Sequence, residues 1–305
     1  MSEPTPPVAC AGLGADACAR FAADGYLAPL DALSRDAAQD CYRRLAPLLD
    51  ADGCASPQLR NRPHLLYTWA AALVRDPCVL DAVRSLLGPD LLVLNSVLFI
   101  KPANDPGHAA WHQDGTYWDI EGDRVVSAWI AITDSTPESG AVRVVPGSHR
   151  SRRRHVLGAE PDAGLLRGQR VEGVRADETA NIALRAGQFS LHHLWLLHGS
   201  PRNSSVMPRI GLAVRYAAPD VRPRGPRRSA TLVRGADRCG HFALEPRPRF
   251  DSDPLAARWH RRALRRYAAH VAWQILREPS LDHLRLLSRL AGRADLIRSL
   301  VGRDR

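Results

Sequence analysis

The sequence predicts a mainly β fold in which short strands form a sandwich or a barrel and helices flank them. From Leu91 onward, β-branched and aromatic runs are separated by Gly, Pro, Asn and Asp, as in strands that irregular loops connect. No helical segments alternate with these runs, which argues against a doubly wound parallel sheet. The predicted strands are residues 91–101, 109–113, 124–133, 141–145, 181–185, 188–198 and 208–217.

Helical patterns precede and follow the predicted strands. The last helix before them ends at Gly88-Pro89, a typical C-terminal stop. After residue 254, apolar residues again recur at helical spacing. The predicted helices are residues 15–23, 34–49 and 76–87, a stripe from Leu255 to Ile275, and a second stripe from Leu284 to Ile297.

These patterns divide the chain into three parts. The Pro- and Ala-rich residues 1–13 are expected to be disordered. Residues 14–250 are expected to form one catalytic domain, because 45% of the chain is apolar and can fill a complete core. Residues 251–305 are predicted to form a basic helical extension.

Composition argues against several classes of protein. The N-terminal residues lack the basic and apolar regions of a signal peptide, and no run of about 18 apolar residues occurs. We therefore expect a cytoplasmic protein without membrane contact. The six cysteines include no Cys-x-x-Cys pair, which argues against a zinc ribbon or a redox motif. All six are expected to be reduced thiols.

The net charge of +10 is concentrated at the C-terminal end. Residues 222–305 contain 20 Arg and 8 acidic residues, and the remaining 22 basic and 24 acidic residues precede them. The helices of the extension are expected to cover the sheet, to form a homo-oligomer interface or to contact an acidic partner. An Arg-rich nucleic-acid-binding module is a further alternative, but no recognised motif supports it.

The motif with the clearest chemistry is WHQDGTYW at residues 111–118. Side chains two residues apart on a strand point the same way, so His112 and Asp114 can reach one cavity. His198, at the end of another predicted strand, is the best third ligand. Two histidines and one carboxylate form the facial triad of non-haem iron(II) oxygenases. The His-x-Asp triplet alone is weak, because such triplets also arise by chance.

Arg209 strengthens this interpretation. It follows His198 by eleven residues, enough for a loop and a return on the adjacent antiparallel strand. There its guanidinium could bind the distal carboxylate of an oxoacid with two hydrogen bonds. Gly211 and Ala213 share its strand face and leave room for a ligand. For Arg215, on the same face, an ordinary surface position is favoured.

Two further histidines are not expected to bind the metal. His149, in the Pro146–His149 turn, is expected to be structural. His192 precedes His198 by six residues, roughly 20 Å along an extended strand, and is therefore excluded as a ligand of the same ion. Tyr117 and Trp118 follow the first two ligands and are candidates for the wall of a substrate pocket, although core packing is an equally good explanation.

Several segments resemble, in order and spacing, the phytanoyl-CoA dioxygenase (PhyH) family of Fe(II)/2-oxoglutarate oxygenases. The resemblance covers roughly residues 20–250. The matching segments are NSVLFIKP at 95–102, WHQDGTYW at 111–118, VSAWIAITDSTPESGAVRVVPGSHR at 126–150, SLHHLWLLHGSPRNSSVMPRIGLAVRY at 190–216 and SATLVRGADRCGHF at 229–242.

The resemblance implies a double-stranded β-helix core, the jelly-roll found also in cupins. It implies Fe(II) bound by His112, Asp114 and His198, and 2-oxoglutarate anchored by Arg209, with Ser127 and Ser200 as further hydrogen-bond donors to this cosubstrate. The implied reaction consumes O₂, hydroxylates a small-molecule metabolite and releases succinate and CO₂. The alternatives are a metal enzyme that needs no cosubstrate and a non-catalytic binding protein on the same fold.

Overall fold

The structure is a computed structural model that describes residues 10–157 and 169–277. Helices lie mainly at the two ends of the chain, as the sequence predicts. The predicted helix at 34–49 ends earlier, at Leu45. The helices are α1 (Ala15–Asp24), α2 (Arg35–Leu45), α3 (Pro57–Arg60), α4 (Thr68–Leu73), α5 (Pro77–Leu87), α6 (Gly115–Trp118) and α7 (Pro254–Arg277).

Five of the seven predicted runs, at 91–101, 109–113, 124–133, 141–145 and 208–217, each agree with one strand to within two residues at either end. The structure also contains strands that the sequence did not predict, most of them two residues long. The strands are β1 (Tyr26–Asp31), β2 (Leu91–Lys101), β3 (Ala109–His112), β4 (Ile120–Glu121), β5 (Val125–Ala131), β6 (Val142–Val144), β7 (Val156–Leu157), β8 (Gln169–Arg170), β9 (Ala180–Ile182), β10 (Gln188–His193), β11 (His198–Ser200), β12 (Arg209–Ala217), β13 (Arg222–Pro223), β14 (Ser229–Arg234) and β15 (Ala243–Leu244).

Two sheets form the core. The larger has the order β1-β10-β5-β12-β2-β14-β15 and is antiparallel except for the β14–β15 pair, and the smaller has the order β3-β11-β6-β9. Apolar side chains of both sheets pack together between them, for example Trp129 and Ala213 against Val142 and Val144. Residues of α4 and α5 pack with other residues of the large sheet. This arrangement confirms a jelly-roll core with flanking helices.

The predicted single strand at 188–198 is wrong. β10 ends at His193, and β11 begins at His198. The four residues between them form a turn in which Leu196 donates a backbone hydrogen bond to His193. Leu194, Leu196 and Leu197 are nonetheless buried. A short apolar run is expected for a buried turn as well as for a buried strand, so hydrophobicity alone could not locate the break.

The two predicted terminal segments are described only in part. Cys10 to Leu13 contact α5, where the Leu13 amide donates to Ser85 Oγ at 2.9 Å. The first predicted C-terminal stripe corresponds to α7. Residues 1–9 and the predicted stripe from Leu284 to Ile297 lie outside the described residues. In the part of the chain that is described, no helix is both long and apolar enough to cross a bilayer.

The expectation of six reduced thiols is wrong for two of them. Cys10 and Cys78 form a disulfide that joins the N-terminal segment to α5. The other four cysteines are free. The two bonded residues are 68 positions apart in the chain, and only the packing of the N-terminal segment on α5 brings them together.

A buried polar cluster connects the segment after α3 to the last strands of the large sheet. Arg62 Nη1 donates to Glu245 Oε1 at 2.6 Å, and Thr231 Oγ1 donates to Glu245 Oε2 at 2.6 Å. Burial by itself would raise the pKa of Glu245, but the charge of Arg62, the neighbouring His64 and a hydrogen bond from Thr231 outweigh it and lower this pKa to about 2. Glu245 is therefore ionised and paired at neutral pH.

We expect Glu245→Gln to lower the free energy of unfolding by about 3 kcal/mol at neutral pH, because Arg62 would stay buried without a counter-charge. The folded-state pKa of Glu245 lies below its ordinary value of 4.5. The stability that its ionised form contributes is therefore fully present above pH 4.5 and is lost as the pH falls toward 2. Urea unfolding of both proteins at neutral pH and at about pH 3 measures this difference.

Arg44→Gln is the control. It removes an exposed ion pair with Asp40, 2.7 Å long, and should change the unfolding free energy by less than about 1 kcal/mol. An equal loss in the two variants would contradict the importance of the buried pair.

Candidate metal centre and adjoining cavities

The three predicted metal ligands come together where the smaller sheet meets the turn that follows β3. His112 ends β3, and His198 begins β11 directly opposite it in the antiparallel register. Asp114 lies beyond the end of β3, in α-helical backbone conformation at the start of α6, and not on an extended strand as the sequence suggested. One donor atom from each of the three buried residues lies within 4.8 Å of the other two.

Backbone hydrogen bonds orient both imidazoles. His112 Nδ1 lies 2.8 Å from the Ala110 carbonyl, and His198 Nδ1 lies 2.9 Å from the Leu196 carbonyl. A carbonyl only accepts, so each Nδ1 carries the proton and each Nε2 has a free lone pair. His112 Nε2 is 3.7 Å from Asp114 Oδ1. The hydrogen bonds of the two Nδ1 atoms therefore orient the rings and leave both Nε2 atoms free to bind a metal.

The second carboxylate oxygen of Asp114 is held by a row of residues across the large sheet. Ser127 on β5 pairs with His192 on β10 at one side and with Arg215 on β12 at the other. All three point toward Asp114 Oδ2, at 3.1 Å from Ser127 Oγ, 3.4 Å from Arg215 Nη2 and 3.8 Å from His192 Nε2. One carboxylate oxygen thus faces the row, and the other faces His112.

The electrostatics favour binding of a divalent cation. Burial would raise the pKa of Asp114, but the charge of Arg215 and the neighbouring imidazoles of His112 and His192 outweigh it and hold the pKa well below its usual range. Burial lowers the pKa of His198 well below its usual range, and the neighbouring His112 and His192 lower it further. At neutral pH the three candidate ligands therefore include a carboxylate and a neutral imidazole, and this combination fits iron(II).

Two expectations about neighbouring residues are wrong. His192 is not remote from His198, because the chain turns after His193, and the two ring centroids are only 4.7 Å apart. Arg215 is not a surface residue but is 7% exposed, with its guanidinium 5.7 Å from the Phe99 ring. His149 lies apart from the metal ligands, with its Nε2 3.2 Å from the Ala22 carbonyl, in accordance with a structural role.

A small cavity of about 70 Å³ adjoins the two metal-binding histidines and includes Arg209 in its wall. Arg209 is almost fully buried, its guanidinium lies 5.1 Å from the Trp129 ring, and its Nη2 donates to Ser200 Oγ at 3.2 Å. Its Nε has no hydrogen-bond partner among the described residues. Burial lowers the pKa of Arg209 to about 10, so it remains cationic. This cavity could hold a short dicarboxylate between the metal and Arg209.

Sequence reasoning missed Lys101, which shares this cavity. Lys101 stands opposite Arg209 in the β2–β12 register, and its ammonium donates to the carbonyls of Ser200 and Pro201. Burial and the adjacent Arg209 charge lower the pKa of Lys101 to about 7. The one available signal was composition, because Lys101 is the single lysine of the chain.

A larger cavity of about 240 Å³ lies on the other side of Asp114. Tyr117 and Trp118 both line it, next to Phe99 and Arg215, which it shares with the small cavity. Ser200 lines the small cavity beside Arg209 and donates to the Gly140 carbonyl at 2.8 Å, and Ser127 donates to Asp114. Their role as hydrogen-bond donors to a cosubstrate stays a prediction. The site can therefore accommodate a metal, a dicarboxylate and a second small molecule side by side.

Fold and site together fit one class of enzyme, the non-haem iron oxygenases that use 2-oxoglutarate. Comparison with known proteins identifies the family. The family model described as phytanoyl-CoA dioxygenase (PhyH) matches residues 8–211, and the chain belongs to this family. The resemblance noted in the sequence is thereby confirmed.

Individual relatives agree with this membership. A probable alpha-ketoglutarate-dependent hypophosphite dioxygenase of Stutzerimonas stutzeri is 30% identical over 53% of this chain, and the match spans 58% of that protein. An ectoine dioxygenase of Sphingopyxis alaskensis is 28% identical over 68% of this chain and 77% of its own length. The chain thus spans less than two thirds of the first of these relatives.

Solved structures extend the comparison. A non-heme monooxygenase, ThoJ in its apo form, is 32% identical, with a TM-score of 0.75 over 86% of this chain and 100% of its own. A structure of CytC3 with Fe(II) and alpha-ketoglutarate, 22% identical with a TM-score of 0.59 over 80% of this chain and 97% of its own, supports the fold.

We expect Ser127→Ala to weaken metal binding by about ten- to a hundredfold, because Asp114 loses a hydrogen bond that orients its carboxylate. Metal affinity measured by competition with a chromophoric chelator tests this prediction.

Ser190→Ala is a matched control on β10, where the buried Ser190 hydroxyl has no hydrogen-bond partner among the described residues. Unchanged metal affinity in Ser127→Ala, together with a weaker response to 2-oxoglutarate, would instead assign Ser127 to the cosubstrate.

Proposed function

We propose that this protein is an Fe(II)- and 2-oxoglutarate-dependent dioxygenase that hydroxylates a small-molecule metabolite. The observation that carries the proposal is the position of Arg209. This buried cation has an Nε without a hydrogen-bond partner among the described residues, and it lines the same cavity as His112 and His198. A metal enzyme without a dicarboxylate cosubstrate has no use for such a group. A binding protein without catalysis does not require the intact set of metal ligands.

The chain's own residues would perform distinct tasks. His112, Asp114 and His198 would hold the iron, and Arg209 would bind the distal carboxylate of 2-oxoglutarate. The bound iron and cosubstrate supply the activation of O₂ and the oxidation of a C–H bond, with release of succinate and CO₂. Trp129 and Ala213 line the cavity with apolar surface and limit the access of water to it.

Two observations support a small molecule as the substrate. The curated relatives are named for ectoine and for hypophosphite, both small. The larger cavity has a volume of about 240 Å³ and adjoins Asp114. Tyr117 and Trp118 would form part of the wall that contacts this substrate, as the sequence predicted.

Cytoplasmic location and a homo-oligomer through the C-terminal helices remain predictions. α7 has exposed apolar side chains at Leu255 and Tyr267, which would be covered in such an oligomer. Size-exclusion chromatography with light scattering measures the oligomeric state.

The first experiment is an anaerobic titration with iron(II) and then 2-oxoglutarate, followed by visible absorption. We expect a metal-to-ligand charge-transfer band in the wild type and none in His112→Ala, because a lost ligand prevents assembly of the chelate. His149→Ala is the control, since His149 lies apart from the metal ligands. A folded, metal-loaded wild-type protein without the band would favour the alternatives that use no cosubstrate.

Arg209→Ala should raise the 2-oxoglutarate concentration needed for half-maximal absorption by at least about tenfold, because charge-assisted hydrogen bonds to the distal carboxylate are lost. Iron affinity should change little. The exposed Arg185→Ala is the matched control. Equal losses of iron and cosubstrate binding in Arg209→Ala would indicate a damaged fold and contradict a specific anchoring role.

A further inference from the structure

We propose that the substrate of this enzyme is an anion, a small apolar or aromatic molecule with one carboxylate or phosphate group, and that Arg228 and Arg266 bind this group in the larger cavity. The proposal deepens the proposed function and rests on it. It also gives the C-terminal helix α7 a role in the active site.

The larger cavity is positioned for a substrate. Asp114 forms part of its wall, so a molecule inside it lies against the metal site. Phe99 and Arg215 separate it from the small cavity that contains Arg209, and they line both. Cosubstrate and substrate would therefore approach the metal from two sides without competing for space.

The wall of this cavity carries a strong excess of positive charge. Five arginines line it, and Asp114 is the single acidic residue among the described residues that do so. Two of the five are already neutralised. Arg62 is paired with Glu245 at 2.6 Å, and Arg215 faces Asp114 at 3.4 Å. The three without an acidic partner within 4.0 Å in the described part of the chain are Arg60, Arg228 and Arg266.

Arg228 is the most constrained of the three. It is 6% exposed, its guanidinium lies 5.9 Å from the Trp118 ring, and its Nε has no hydrogen-bond partner among the described residues. Among the described residues its guanidinium makes one hydrogen bond, a long one of 3.5 Å from Nη2 to the Asp119 carbonyl. A buried cation without a counter-charge is costly, so an anionic ligand would stabilise it strongly.

Arg266 approaches the same cavity from α7. Its Nη1 is buried without a hydrogen-bond partner among the described residues, and its guanidinium lies 5.9 Å from the Trp259 ring. Ala263 and Leu264 of the same helix also line the cavity. The helix thus contributes both apolar surface and charge, which explains part of the basic character of the C-terminal region without a nucleic-acid partner.

The rest of the wall includes aromatic and apolar side chains, which would contact the uncharged part of the substrate. Tyr117, Trp118 and Phe242 contribute to it. Aromatic side chains pack favourably against apolar or planar groups, and they contribute little binding energy to a strongly hydrated molecule. The combination favours an anion with an apolar or aromatic body over a free inorganic ion.

Calorimetric titration of protein loaded with iron(II) and saturating 2-oxoglutarate, without O₂ and in phosphate-free buffer, tests the proposal. The probes are benzoate, phenyl phosphate and the neutral benzamide. We expect at least one of the two anions to bind at least about tenfold more tightly than benzamide, since a charge-assisted hydrogen bond contributes more than a neutral one. The tighter of the two anions identifies which acidic group the cavity prefers.

Arg266→Gln and Arg228→Gln should each weaken binding of that anion by about tenfold and leave benzamide unchanged. Arg266→Gln removes a half-buried helical side chain, so its fold should be retained even if Arg228→Gln is unstable. Arg261→Gln is the matched control, because it removes the same charge from an exposed position on α7 that does not line the cavity. It should change anion binding by less than about twofold.

A failure of this proposal can be distinguished from a failure of the proposed function. The charge-transfer band in the same sample reports iron and 2-oxoglutarate binding. If the band forms but benzamide binds as well as both anions, or if neither cavity variant weakens anion binding more than Arg261→Gln does, the anionic substrate is excluded. If the band fails to form, the proposed function itself is overturned.

Discussion

The position of the Asp114 carboxylate depends on the register of three strands in the large sheet. β5 lies between β10 and β12, and this pairing places Ser127 between His192 and Arg215. Together they hold one oxygen of Asp114, while the other faces His112. A shift of one residue in either pairing would turn a member of the row to the opposite face of the sheet. Backbone hydrogen bonds between β5 and its two neighbouring strands thus fix the position of the Asp114 carboxylate.

The same sheet separates the two ligands that the enzyme would bind. Arg209 and Arg215 lie on one face of β12, six residues apart, and Gly211 and Ala213 lie between them. A side chain at Gly211 would collide with the Trp129 ring, which fills this space. Arg209 therefore faces the small cavity, and Arg215 stands where the small and large cavities meet. One strand therefore carries both cations, Arg215 beside the Asp114 carboxylate and Arg209 in the cavity that we propose for the cosubstrate.

Much of this could be predicted from the sequence, because it depends on local patterns. β2 has the predicted bounds, and β12 begins one residue later than predicted, since β-branched and aromatic runs between Gly, Pro and Asn are read directly from residue order. His112, Asp114 and His198 were identified from motif, spacing and family resemblance, and the structure brings them together.

Contacts between residues distant in the chain were decided by the tertiary structure. Periodicity could not indicate the turn after His193 that brings His192 near His198, because all of its leucines are buried. Nor could it predict that Cys10 bonds to Cys78, or that α7 brings Arg266 to the larger cavity. By itself, the sequence determined most of the long strands, the candidate metal ligands and the family. Which charges are buried and what they face depended on folding, because burial and pairing are properties of neighbours in space.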